Sequence, residues 1–240
     1  EADETIDCEG KILMPGLVNT HTHMPMAILR GVMDDLRLEE WLLNYIFPIE
    51  GHFMNPETSR LGTELASAEL IQSGVTCCND MYYYEKAVSE TLIKVGLRGI
   101  TCRLITNFPG VDNIPVEEKF KLAEEHVEKY KNHPLITPSI APHAPYTNSE
   151  ETLKRSIEFA KKNDIMLNMH LAETSKEVSD ISEKYGSLNS YLDSLGFYNC
   201  KLNFAHCVYL SNEDIKAFAK HNVGVAHNPE SNMKLSSGCA

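Results

Sequence analysis

Two histidines one residue apart, His21 and His23, end the apolar stretch PGLVNTHTHMP. Residues two apart in a strand point the same way, so the pair projects side by side. Two neutral imidazoles fixed in this manner can supply two cis ligands to a divalent metal. A lone H-x-H is common by chance; recurrence gives this one weight. His143 follows LITPSIAP, His170 closes IMLNMH and His206 ends KLNFAHC, so five of the ten histidines lie at the ends of apolar runs. His52, His126, His133 and His221 fall in helices or loops and read as solvated or structural, while His227 in VAHNPESN either ends a strand or braces a loop. Glu173 stands three residues past His170 in HLAET. A carboxylate there can reach a metal-activated water as a proton shuttle. The same acid also suits the first turn of a helix; its place beside His170 favours chemistry.

These residues need a scaffold that gathers strand ends. Seven short runs rich in Val, Ile, Leu and Thr read as buried strands: KILMPGLVNTHTH, GVTCCNDM, GLRGITCRLIT, LITPSIAPH, IMLNMH, KLNFAHC and VGVAHNP. Helical patterns lie between them. NPETSRLGTELASAELIQSG opens with Asn55 and Pro56 as cap and first turn, and VEEKFKLAEEHVEKYKNH is amphipathic. TNSEETLKRSIEFAKKND and SNEDIKAFAKHN carry cap residues and early acids. Alternation of this kind predicts an α/β fold of parallel strands with right-handed crossovers. No Gly-rich fingerprint follows the first strand, which weakens the open dinucleotide-binding sheet. The expectation is a TIM-type (β/α) barrel, whose active site lies at the strand C-termini. About seven of its eight strands are present. The abrupt end in SSGCA, and the opening TIDCEGK, predict one barrel domain over residues 1–240, cut at both ends from a larger protein.

Composition narrows the partners. A net charge of −12 with no basic stripe excludes a nucleic-acid backbone. No apolar run approaches the ~18 residues of a membrane span, and the acidic N-terminus is not a signal peptide. Seven cysteines form no C-x-x-C pair and read as reduced thiols, which points to the cytoplasm. A small-molecule ligand fits best; a homo-oligomer is left open.

The motifs PGLVNTHTH, HLAET, FAHC and HNPESNMKLSSG together resemble the amidohydrolase superfamily, and within it the 5′-methylthioadenosine/S-adenosylhomocysteine deaminases. MPMAILRGVMDDLRLEEWLLNYIFPIE resembles the loop after the first strand in that group and in related chlorohydrolases and guanine deaminases. The resemblance implies that His21, His23 and His170 ligate a metal, that Glu173 is the general acid/base, and that His206 holds and polarises the attacking water. It further implies that Glu50 binds ribose hydroxyls, that His143 contacts the substrate near the purine, and that Trp41 lines the thioether side. Arg103 is the candidate for the substrate carboxylate. The implied reaction is hydrolytic deamination of an adenosine-type nucleoside to its inosine analogue and ammonia, with one Zn²⁺ per subunit, or iron in its place. LITPSIAPH offers no lysine to bridge two metals, which favours a mononuclear site.

One departure stands out. The superfamily takes a further ligand, an aspartate, from the eighth strand, and none of Glu213, Asp214 or Glu230 is placed to replace it. The expectation is that this 240-residue chain alone is catalytically poor. Two rivals remain: a chlorohydrolase or guanine deaminase acting with the same metal, and a metal-binding barrel without catalysis.

Overall fold

A computed structural model describes residues 2–33 and 35–240. Among these residues seven strands form one parallel sheet in sequential order: β1 (Leu17–Thr22), β2 (Val75–Asp80), β3 (Arg98–Ile105), β4 (Ile136–Pro142), β5 (Met166–Leu171), β6 (Lys201–His206) and β7 (Gly224–Ala226). The sheet curls into a nearly closed barrel. Asn203 on β6 donates to the Thr20 carbonyl of β1 at 3.2 Å, and Asn79 on β2 reaches the same carbonyl at 3.0 Å. β1 and β7 are the sheet's edges, and Leu17, Val18 and Val225 on them are exposed.

Among the described residues ten α-helical segments accompany the strands. After β1 come a 3-10 turn (Met24–Leu29), α1 (Leu38–Trp41), a π-helical turn (Leu42–Ile46), α2 (Phe47–Phe53) and α3 (Pro56–Gln72). The later crossovers hold α4 (Glu85–Val95), α5 (Val116–Tyr130), α6 (Glu150–Asn163), α7 (Ser175–Tyr185), α8 (Leu188–Leu195), α9 (Asn212–Lys220) and α10 (Pro229–Lys234). Their starts follow from local chemistry. Asn55 accepts from the amides of Glu57 and Thr58 while the Thr58 hydroxyl accepts from Asn55, a reciprocal cap. Ser211 and Asp214 form a second reciprocal cap at α9, and at α6 the Ser149 hydroxyl accepts from the Thr152 amide alone.

The main apolar core lies between sheet and helices, where Ile140, Leu167, Met169 and Phe204 pack on Phe120, Leu153, Ile157 and Leu192. The barrel interior is polar instead. Asn168 on β5 accepts from Asn79 (2.7 Å) and Asn203 (3.1 Å) and donates to Ser139, which donates to the Thr101 carbonyl. This layer ties six strands together directly beneath the strand ends; every amide nitrogen in it finds an acceptor, while Asn79 Oδ1 stays unpaired.

One close approach positions the segment after β1. A Cβ on Gly62 of α3 would lie 2.1 Å from the Pro25 carbonyl oxygen. Only glycine lets α3 seat the 3-10 turn that follows His23.

Candidate metal centre and active site

The strand ends bring five histidines to one mouth of the barrel. His21 lies near the end of β1, His23 just beyond it, His143 just after β4, His170 in the last turnless residues of β5, and His206 at the end of β6. The ring of His21 is 4.8 Å from His23, 4.9 Å from His170 and 5.7 Å from His206, centre to centre. One ring nitrogen each of His21, His23 and His170 fall within 4.8 Å of one another.

Hydrogen bonding fixes which nitrogens face inward. His23 Nδ1 lies 2.5 Å from the Met81 carbonyl, and His170 Nδ1 lies 2.8 Å from the His143 carbonyl. A carbonyl only accepts, so both Nδ1 atoms carry hydrogen. Burial pushes the pKa of His23 down to about 4, and that of His170 well below its usual value with help from four neighbouring histidines. Both rings are therefore neutral, with lone pairs on Nε2. Those two Nε2 atoms stand 3.2 Å apart. Two facing lone pairs with no proton between them repel, and a cation accepting from both removes the conflict. The donor set suits a divalent metal that takes imidazole, held by ligands whose other nitrogen is anchored.

Glu173 and His206 sit together beside this cluster. His206 Nδ1 donates to Asn232 Oδ1 at 2.8 Å and stands 3.5 Å from Glu173 Oε1. His206 and Cys207 adopt φ of +74° and +50°, a left-handed turn rare for side-chain-bearing residues. The turn is stitched to the neighbouring loop, since Cys207 and Tyr209 donate to the carbonyls of Leu171 and Ala172. Burial pushes the pKa of Glu173 up to about 8, with the nearby Glu177 charge adding to it. A carboxyl poised there is able both to take and to give a proton near neutrality.

A cavity opens above these groups. Its polar wall includes His23, His143, His170, Glu173, His206 and Glu50; its apolar wall includes Trp41, Leu42, Ile46, Phe47 and Met26. The segment expected as a loop after β1 is thus largely helical, from α1 through the π turn to α2, and it supplies this wall. π turns often mark functional sites. Glu50 accepts from the Tyr82 hydroxyl at 2.5 Å, and burial holds its pKa up at about 7. His143 Nδ1 lies 3.1 Å from the Thr147 hydroxyl, and burial pushes its pKa to about 3.

Arg103 is not part of this site, which corrects the expectation that it meets a substrate carboxylate. Its buried guanidinium donates to Glu85 at 2.9 Å and to Asp112, and it does not line the cavity. Its charge is already neutralised by two carboxylates. Among the described residues no lysine or arginine lines the cavity. His227 is exposed on a side groove next to His21. Of the three late acids, Asp214 caps Ser211 and Asn189 with its oxygens, and Glu213 and Glu230 are exposed. Asn232, whose hold on His206 went unassigned in the sequence, lay within a motif that marked its neighbourhood and no single residue. Tyr82 and Glu177 were likewise unassigned.

A parallel (β/α) barrel with imidazoles converging at the C-terminal mouth defines a metal-dependent hydrolase-type scaffold. The chain belongs to the amidohydrolase family, whose profile matches residues 12–240. It is 42% identical over 229 residues to a 5-methylthioadenosine/S-adenosylhomocysteine deaminase of Thermodesulfovibrio yellowstonii, covering 95% of this chain and 52% of the relative. It is 41% identical over 244 residues to a 5′-deoxyadenosine deaminase of Methanocaldococcus jannaschii, covering 100% and 57%. Among solved structures, an adenosine deaminase from Xanthomonas campestris with bound zinc superposes with a TM-score of 0.91 at 38% identity, covering 95% of this chain and 52% of that one. A guanine deaminase from C. acetobutylicum with bound guanine gives 0.84 at 26% identity, covering 93% and 56%. The chain spans about half the length of the curated relatives it matches.

Proposed function

We propose that this chain is one barrel domain, residues 1–240, of a longer metal-dependent deaminase that hydrolyses the amino group of adenosine-type nucleosides to the inosine analogue and ammonia. The carrying observation is Glu173, a buried carboxyl with its pKa raised to about 8, beside His206 and the three clustered histidines. His21, His23 and His170 would hold the metal. Zinc is the proposed ion, supported by the zinc-bound relative and by imidazole donors, with iron the alternative. Bound there, the metal supplies Lewis acidity that makes water nucleophilic near neutral pH. Glu173 accepts the proton of the attacking water and delivers it to the purine ring nitrogen, while His206 Nε2 orients the incoming oxygen. His206 is fixed for this because Asn232 occupies its Nδ1 hydrogen. Glu50 takes the ribose hydroxyls, His143 meets the purine edge, and Trp41 packs against the 5′ substituent.

The apolar wall around Trp41 and the lack of a lining cation among the described residues favour a neutral 5′ substituent, as in methylthioadenosine or 5′-deoxyadenosine, over the charged tail of S-adenosylhomocysteine. No helix among the described residues is long and apolar enough to cross a membrane. The seven free cysteines support a reducing, cytoplasmic setting.

The experiment is ammonia release by the zinc-loaded complete polypeptide, assayed with methylthioadenosine, 5′-deoxyadenosine, S-adenosylhomocysteine and guanine. Turnover of the first two above guanine is the expected result. Turnover of guanine alone would replace this reading with that of a guanine deaminase, and no turnover with metal bound would leave a binding barrel.

A further inference from the structure

Glu177 has no part in the chemistry so far. It lies in the first turn of α7, 7% exposed, and its carboxylate accepts from the Ala172 amide at 2.8 Å and the Glu173 amide at 3.1 Å. Burial pushes its pKa up to about 7, and the amides of Ala172, Glu173 and Thr174 oppose that by favouring the charged form. Consecutive amides wrapped around one anion form a nest. An ordinary capping box would return an acid at this position only to the amide of the cap residue. Half of that box exists, since the Thr174 hydroxyl accepts from the Glu177 amide at 3.2 Å. The carboxylate, however, reaches one and two residues further back, to the peptide that carries Glu173.

That peptide needs holding. Ala172 sits at φ +51°, fully buried, where the chain reverses out of β5. A side-chain-bearing residue in this region is strained and persists only where its surroundings enforce it. Glu177 holds the amides on either side of this residue while the Tyr209 amide holds its carbonyl, and among the described residues no cation is among the groups facing Glu177. Those groups are Glu173, Tyr146 after β4, Cys207 after β6 and Tyr191 on α8. A buried acid with amide partners only is costly unless the geometry it fixes is needed.

We propose that Glu177 is a positioning residue for the deamination, gripping the backbone amides of Ala172 and Glu173 so that the Glu173 carboxyl is aimed at the metal-binding histidines. The inference rests on the role given to Glu173 above.

The test is Glu177→Gln in the zinc-loaded complete polypeptide, measuring kcat, KM and zinc content with methylthioadenosine, and amide hydrogen exchange over residues 171–175. A carboxamide loses one of the two acceptor oxygens. The expected result is a kcat lower by about 10- to 100-fold, KM and zinc content unchanged, and faster exchange in that segment. Ala172→Gly in the same background relieves the left-handed strain and is expected to recover kcat several-fold. An unchanged kcat, or a kcat lost together with zinc, would overturn the proposal. So would failure of both variants to fold, which would make Glu177 purely structural. If the parent itself deaminates nothing, the functional reading fails instead, and the exchange data still decide whether Glu177 holds the loop.

Discussion

Asn232→Leu tests how tightly the geometry around His206 controls the chemistry. In the native arrangement His206 Nδ1 chooses between Asn232 Oδ1 at 2.8 Å and Glu173 Oε1 at 3.5 Å. Removing the amide leaves a buried N–H without its partner, a penalty of roughly 1–3 kcal/mol. Asn232 also carries a buried Nδ2 with no partner, and its removal offsets part of that penalty. Global stability is therefore expected to change little. The nearest alternative acceptor for the orphaned hydrogen is the Glu173 carboxylate. A hydrogen bond to a charged group contributes roughly 1.5–3 kcal/mol, which corresponds to lowering the Glu173 pKa by about 1–2 units. The sign follows directly: Glu173 starts raised, at about 8, and the new bond favours its ionised form. In the complete, metal-loaded polypeptide the acidic limb of kcat/KM against pH should move down by about 1–2 units. The weaker base should also lower kcat by about 10- to 100-fold. Steady-state assays from pH 5 to 9, with metal content measured in parallel, give both numbers. An unchanged acidic limb with full kcat would refute the idea that Asn232 keeps His206 away from Glu173.

Two further expectations concern stability. Arg103→Met strands Glu85 and Asp112 as uncompensated buried carboxylates, so it should destabilise the fold by roughly 3–5 kcal/mol in denaturant titrations while leaving KM of the folded fraction unchanged. A selective rise in KM for a carboxylate-bearing nucleoside would return Arg103 to the binding site. His126, held against Thr101 and kept neutral by burial, has its pKa lowered from 6.5 to about 4. Between those values the unfolded chain takes a proton and the folded one does not. Stability should then fall as pH drops from about 6.5 to 4, by at most ~3 kcal/mol for this group. His126→Gln should flatten that part of the curve relative to the parent, and parallel curves would contradict it.

Much of the scaffold was legible because it is periodic. All seven apolar runs became strands, and the helices whose starts carry Asn55, Ser149 or Ser211 form where those caps stand. α4 gave no such signal, since it starts at Tyr84 in a left-handed conformation with no side-chain cap. The helical path through Trp41 and Glu50 was hidden by an apolar content that fits a loop wall as well as a helix face. Within the site, histidines at strand ends could be read because a period of two and a strand terminus fix where a side chain points. Asn232, Tyr82 and Glu177 could not, since each acts on another residue through a contact that only the folded chain creates. Arg103 was misplaced for the converse reason: a strand position reveals the side chain's charge but not the Glu85 and Asp112 carboxylates that already hold it.

The most direct measurement is Glu173→Gln in the complete polypeptide, with metal content and ammonia release from methylthioadenosine determined on the same preparation. A general acid/base that does not ligate predicts full metal occupancy and turnover reduced by about 10²- to 10⁴-fold. Retained turnover, or loss of the metal together with the activity, would contradict that role.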